Sequence, residues 1–191
     1  MKFLILFLML SVQLLAQQPG DIDYVFTSLQ RADERPEVVY NLNLRKSKLK
    51  FFPKNLDRFE NLRTLDLSKN RISMLPSGMG QLTSLEQLFL AGNNIVIIPP
   101  QIAKLINLVV LDLSKNDIKI VPEEIGELNA LKRLDLRLND VQTIDKNISK
   151  LNQLTELNLQ GMFFLDEVKQ MVALWLPNFE VQFSGGCDCG F

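Results

Sequence analysis

A 23-residue period runs through most of this 191-residue sequence and constrains its fold more than any other feature. Five columns keep the interval, three of leucine, one of asparagine and one of proline. The leucine columns run from Leu62 to Leu154, Leu65 to Leu157 and Leu67 to Leu159, the asparagine column from Asn70 to Asn139, and the proline column from Pro53 to Pro122. One unit of this length cannot bury its own apolar edge, so stability must come from stacking its neighbours.

The unit reads Leu-x-x-Leu-x-Leu-x-x-Asn-x-Ile-x-x-Leu-Pro at its start and is best seen in residues 62–84 and 108–130. With this pattern the sequence resembles leucine-rich repeat proteins, specifically the 23-residue Leu-Pro class of bacterial secreted and Ras-suppressor-like members. The resemblance covers residues 39 to about 183. It implies an α/β fold, a right-handed solenoid with a parallel sheet on its concave face.

Elementary physical chemistry accounts for the columns separately. Side chains alternate along a strand, so in Leu65-Asp66-Leu67 both leucines should point inward and Asp66 outward. Asn70 follows where the strand ends and the chain turns. A buried amide can both donate and accept, so stacked asparagines should satisfy turn groups that water cannot reach. We therefore expect a structural ladder made of Asn70, Asn93, Asn116 and Asn139.

The repeats are predicted to occupy residues 39–161, with caps on both sides. The units are 39–61, 62–84, 85–107, 108–130 and 131–153, with the start of a sixth at 154. Residues 17–38 should form an N-terminal cap with a helix over Asp21–Glu34, because Val25, Phe26 and Leu29 have helical spacing. Residues 162–183 should form a C-terminal cap, a helix over Leu165–Leu176 followed by a strand over Phe179–Phe183.

Residues 1–16 have the pattern of a secretory signal peptide. Lys2 precedes the apolar run Phe3–Ala16, which is shorter than the roughly 20 residues needed to span a bilayer. Cleavage after Ala16 or Gln17 is expected. The mature chain should then be secreted or periplasmic, without stable membrane insertion.

The tail, residues 184–191, contains both cysteines of the chain, Cys187 and Cys189. Its glycines predict a flexible segment. Three states of the pair stay open: a strained or intermolecular disulfide, two free thiols, and partial ligation of a soft metal.

The composition argues against several classes of function. The absence of histidine excludes His-based catalytic triads and His-ligated metal sites. The balance of 21 basic and 22 acidic residues disfavours nucleic-acid binding. Asp112 and Asp135 share an outward column in adjacent units. Their carboxylates could therefore lie about as close together as the catalytic pair of a retaining glycosidase. Arg133 and Arg137 flank Asp135, so a solvated, ion-paired column is the favoured interpretation. We predict that the protein is not an enzyme and binds no cofactor.

A calcium site built from Asp66, Asp112 and Asp135 is disfavoured because Phe89 interrupts their column. We therefore expect no metal site in the array.

The outward positions of the strands combine an apolar middle with charges of both signs around it, as in an interface core with a polar rim. The resemblance implies that such a face binds another protein, and we expect a monomer with a protein partner. Recognition of glycan or peptidoglycan and a purely structural envelope role remain as alternatives. The predicted partner-binding residues are Asp66, Phe89, Val109, Val110, Asp112, Arg133, Asp135 and Arg137.

Overall fold

The computed structural model describes residues 21–162, 166–176 and 181–183. The predicted signal peptide and the cysteine pair, Cys187 and Cys189, lie outside the described residues, as do Phe179 and Glu180 at the start of the predicted last strand.

In the part of the chain that the structure describes, eight short strands form one parallel sheet, six from the repeats and one from each cap. Its register places residues 23 positions apart side by side, as in Leu65 against Leu88 and Leu88 against Leu111. The predicted parallel sheet is confirmed. In spatial order the strands are β1 (Val25–Phe26), β2 (Asn41–Asn43), β3 (Thr64–Asp66), β4 (Gln87–Phe89), β5 (Val110–Asp112), β7 (Arg133–Asp135), β9 (Glu156–Leu159) and β10 (Gln182–Phe183).

The side opposite the sheet is built from 3-10 helices. Three of them follow a proline directly, because Pro76, Pro99 and Pro122 hold the chain extended just before the first helical turn. Two further short strands, β6 (Ile120–Val121) and β8 (Thr143–Ile144), pair in parallel with each other. Each lies in the segment that leads from a strand of the main sheet to the next 3-10 helix. The 3-10 helices are Pro36–Val38, Leu56–Arg58, Ser77–Gln81, Pro100–Lys104, Glu123–Glu127 and Lys146–Lys150.

A continuous apolar core fills the space between the sheet and the 3-10 helices. The inward leucines of the central strands, such as Leu88 and Leu111, are fully buried, as are the leucines that precede and follow them. Each unit contributes the same positions to this core. The stabilising contacts are therefore distributed along the whole array.

The N-terminal cap differs from the prediction. Residues Val25 and Phe26 form β1, which pairs in parallel with β2, and the helix α1 is limited to Leu29–Asp33. The pair alternates as a strand does, with Phe26 buried and Val25 exposed. The prediction of a helix over Val25 and Phe26 was wrong. A helix there would leave the edge of β2 without a hydrogen-bonded neighbour, whereas β1 pairs with the backbone groups of β2.

The C-terminal cap contains the expected helix and strand. Helix α2 spans Asp166–Trp175 and buries Val172 fully, with Val168 and Trp175 packed partly against the core. Met171 was expected on the same side but is exposed. Strand β10 pairs in parallel with β9 and covers the last repeat strand. Within the described residues, no helix is both long and apolar enough to cross a membrane.

Candidate protein-binding face

The outward side chains of β2, β3, β4, β5, β7 and β9 form a continuous surface, called here the strand face. Its central column follows the sheet register and places Phe89 between Asp66 and Asp112, one strand away on either side. The other members of this column are Asn43, Asp135 and Asn158.

Every polar member of the central column makes the same local hydrogen bond. Its Oδ1 accepts from the backbone N–H two residues later, which holds the turn that ends each strand. The bonds are Asn43 to Arg45 (3.0 Å), Asp66 to Ser68 (2.8 Å), Asp112 to Ser114 (3.0 Å), Asp135 to Arg137 (3.1 Å) and Asn158 to Gln160 (3.0 Å). The fold therefore supplies a structural reason for an Asp or Asn in this column.

Phe89 is the exception, since a phenyl ring cannot accept that hydrogen bond. Its side chain is half-buried on the strand face, and its chain neighbours Leu88 and Leu90 are fully buried in the core. Val109 and Val110, at the start of the next strand, are half-buried as well. These three side chains form an apolar centre at a position where the local turn favours a polar group.

Ion pairs surround this centre. Arg133 Nε lies 3.3 Å from Glu156 Oε2, and Arg63 Nη1 lies 3.7 Å from Glu86 Oε1. The Arg133 and Arg63 side chains are each about half exposed, so such pairs contribute at most about 1 kcal/mol and are screened by salt. A partner can therefore exchange them for its own charges at little cost.

Asp135 departs from the expectation of a solvated column. Its side chain is only 1% exposed, and among the described groups its Oδ2 has no hydrogen-bond partner, although Arg137 Nε lies 3.4 Å away. Burial raises the pKa of the Asp135 carboxyl, and nearby Asp112 raises it further. The hydrogen bond from the Arg137 backbone and the charges of Arg137 and Arg133 oppose this. Asp135 is too buried to offer a contact on the free surface.

The asparagine column lies just behind the strand face and holds successive units together. Each Asn Nδ2 donates to at least one carbonyl in its own unit and to one in the preceding unit, and each Oδ1 accepts from a backbone N–H of the preceding unit. For Asn116 these partners are Leu113, Leu90 and Ile95, at 2.9, 3.1 and 3.0 Å. The same bonds are made by Asn70, Asn93 and Asn139.

The sequence did not reveal a shallow cavity of about 490 Å³ beside the strand face. It lies at the N-terminal side of the strands and borders Arg63, Glu86 and Val109. Small or polar residues at one repeat position, Asn61, Ser84 and Asn107, leave room for it. That column shares the 23-residue period, so the period was the signal that could have located the cavity.

Comparisons with known proteins agree with this architecture. Residues 60–100 match a family profile described as leucine-rich repeats in two copies, and residues 106–161 match one described as leucine-rich repeat. The chain belongs to the leucine-rich repeat family. No curated protein sequence matches it.

Solved leucine-rich repeat structures resemble the chain over most of its length. A leucine-rich repeat protein of Leptospira interrogans is 36% identical, with a TM-score of 0.68, over 75% of this chain and 36% of that one. The plant peptide hormone receptor RGFR1, solved in complex with RGF2, is 31% identical, with a TM-score of 0.58, over 64% of this chain and 21% of the receptor.

Internalin C2 of Listeria monocytogenes, at 22% identity and a TM-score of 0.67, shares the fold over 83% of this chain and 66% of its own. This leucine-rich repeat chain thus spans about a third of the Leptospira protein and a smaller part of the plant receptor.

Proposed function

We propose that this chain is a secreted or periplasmic protein-binding module that uses its strand face. The observation that carries the proposal is Phe89, an aromatic residue in the one column where the fold favours Asp or Asn. Its neighbours in register, Asp66 and Asp112, both use that position to hold a turn. Phe89 gives up this hydrogen bond and presents an apolar group on the surface instead.

The surroundings of Phe89 have the layout of an interaction surface. Val109 and Val110 extend the apolar centre, and Arg133 and Arg137 lie towards the C-terminal rim with about half of each side chain exposed. Interface hot spots are typically aromatic groups near the middle of such a patch. The arginines would contribute mainly to the rate of association and its salt dependence.

Two further observations support a protein as the partner. Leucine-rich repeat proteins generally mediate protein–protein interactions, and the similar plant receptor was solved in complex with RGF2. Glycan recognition normally needs exposed aromatic faces, and the second aromatic near the strand face, Tyr40, is covered by Arg63, whose guanidinium lies 5.9 Å from the ring centroid. A purely structural role in an envelope would leave Phe89 without a purpose.

The test is a crosslinking pull-down from envelope and host-surface extracts, followed by affinity measurement with the captured protein. Phe89→Asn should weaken binding at least tenfold, about 1.4 kcal/mol, because it removes the apolar anchor. Ile106→Asn is the matched control, since Ile106 is an exposed apolar residue outside the strands that form the strand face. Arg133→Ala should weaken binding less and reduce its salt dependence.

Normal binding by Phe89→Asn would contradict the proposed site. If changes at Lys104 or Glu123, in the 3-10 helices, abolished binding instead, the partner would use the opposite side of the solenoid.

Export is tested separately by N-terminal sequencing of the accumulated protein. A start at Gln17 or Gln18 is expected, and intact Met1 in the membrane fraction would contradict export by signal cleavage.

A further inference from the structure

A row of exposed apolar side chains follows the 23-residue period on a surface distinct from the strand face. Its members occupy one position in each of four successive units, in the segment that leads from each strand towards its 3-10 helix. We call this row the apolar ridge. Its members and their exposures are Phe51 (77%), Met74 (71%), Ile97 (71%) and Ile120 (58%).

Folding does not require apolar residues at these positions. The residue after each ridge member is the one that enters the core, as Phe52 and Val121 do, so the ridge side chains point the other way. In the fifth unit the equivalent residue is Thr143, which pairs in register with Ile120 and is exposed. A polar side chain therefore suits this position, and four apolar ones in a row need another explanation.

The N-terminal half of the ridge lies in the most basic part of the chain. Residues 39–84 carry nine Lys and Arg against three Asp and Glu, a net charge of +6, whereas the whole chain has a net charge of −1. All seven basic residues of the segments that contain Phe51 and Met74 are exposed. They are Arg45, Lys46, Lys48, Lys50, Lys54, Lys69 and Arg71.

These seven charges are poorly neutralised within the chain. Arg45 lies 3.8 Å from Asp66, and among the residues that the structure describes the other six form no ion pair. Phe51 and Met74 also border a cavity of about 650 Å³ whose floor includes Pro76, Met79 and Leu82. Lys54 borders the same cavity, so the apolar row and part of this positive field meet on one surface.

We propose that this surface binds peripherally to an anionic lipid bilayer, with the apolar ridge entering the interface and the lysines facing the headgroups. Apolar side chains inserted at the interface and juxtaposed basic residues are the two contributions that hold proteins on anionic membranes. Binding here is independent of the partner site around Phe89, because the two surfaces share no residues.

Two features favour a bilayer over other occupants. A second copy of the chain would place the +6 regions of both molecules against each other, which is repulsive. Five of the seven basic residues are lysines, flexible point charges suited to a plane of headgroups, whereas register-specific recognition of a peptide favours fixed arginine forks. The ridge side chains also project from the surface, which suits insertion into an interface.

The test is co-sedimentation of the full chain, in the form in which cells accumulate it, with two kinds of vesicle. One is pure phosphatidylcholine and the other contains about 30% phosphatidylglycerol, an anionic lipid. Residues 3–16, if retained, are apolar and would bind both kinds, so the informative quantity is the difference between them. Wild type should partition at least tenfold more strongly to the anionic vesicles, and added salt should reduce this preference.

Two double variants separate the contributions. Phe51→Ser with Met74→Ser and Lys48→Glu with Lys50→Glu should each reduce partitioning to anionic vesicles at least tenfold. Ile106→Ser with Leu174→Ser and Lys104→Glu with Lys132→Glu are the matched controls, since all four residues are exposed elsewhere. Circular dichroism and thermal melting of each variant report whether it is folded.

The proposal is overturned if wild type shows no preference for anionic vesicles, or if folded ridge variants partition as wild type does. If wild type shows no such preference but dimerises through the ridge in sedimentation velocity, the occupant of the ridge is a second copy of the chain. If it binds a soluble acidic peptide there instead, the occupant is a peptide.

Discussion

Asn93 Oδ1 accepts a hydrogen bond from the backbone N–H of Ile72, which lies 21 residues earlier in the chain, at 3.0 Å. The Asn93 Nδ2 donates to the carbonyls of Leu67 and Leu90, at 3.0 and 2.9 Å. One buried amide thus satisfies three backbone groups in two adjacent units. Water could not take the place of this amide without opening the core.

We predict that Asn93→Ala is strongly destabilising. Each backbone group left unpaired costs about 1–3 kcal/mol, so the loss should be at least about 2 kcal/mol and lower the melting temperature by several degrees. Asn94→Ala is the control, because the Asn94 side chain is exposed next to it. Denaturant unfolding and thermal melting measure both, and equal losses for the two variants would contradict the ladder.

We predict that Phe89→Asn folds at least as stably as wild type. An Asn at this position can accept the turn hydrogen bond that Asn43 and Asn158 accept in their own units. Phe89→Ala, which lacks the acceptor, should be slightly less stable than Phe89→Asn. A loss of more than about 2 kcal/mol in Phe89→Asn would show that the ring belongs to the core.

Asp135 should make stability depend on pH. Burial raises the pKa of its carboxyl above the ordinary value near 3.8, so the folded state binds more protons than the unfolded state in the window above that value. Stability from this group is therefore lost as pH rises through the folded-state pKa. Asp135→Asn keeps an acceptor for the Arg137 N–H and removes the buried charge.

At pH 7 we expect Asp135→Asn to melt at or above the wild-type temperature, with an advantage that shrinks towards pH 4. Asp66→Asn, in the same column but more accessible, is the control. A melting difference between Asp135→Asn and wild type that does not change with pH would contradict this prediction.

Two glycines in the 3-10 helices should respond oppositely to alanine. A Cβ on Gly126 would collide with the Asn147 backbone, so Gly126→Ala should cost roughly 1–3 kcal/mol. Gly78 has nothing within 4 Å of the same position, and Gly78→Ala should be neutral or stabilising by up to about 1 kcal/mol. Chemical denaturation of both variants tests the pair. If Gly126→Ala were as stable as Gly78→Ala, the contact between the Glu123–Glu127 helix and Asn147 would have room for a Cβ.

The period made the sheet, the core and the ladder predictable, because a column such as Leu65, Leu88 and Leu111 has one environment repeated. It could not assign Val25 and Phe26, because two adjacent apolar residues fit a helix or a strand equally well. Their conformation depends on the open edge of β2, which is not a local property.

The strand face was only partly predictable for the same reason. Alternation indicates that Phe89 and Asp135 both point outward, but how far each is covered depends on side chains of neighbouring strands, such as Arg137 beside Asp135. The apolar ridge keeps the period, but its residue types do not set it apart in the sequence. Its members, such as Phe51 and Ile97, differ in type, and their exposure follows from the core position of the next residue.

The pairing of β1 with β2 has a consequence for how the chain is made. Val25 pairs with Asn41, 16 residues later, and every repeat strand then pairs with one 23 residues away. Each of these strands therefore pairs with a segment that is close to it in the sequence. As the polypeptide leaves a ribosome or a translocation channel, each unit can settle on the one before it, so the order of synthesis is also an order of assembly.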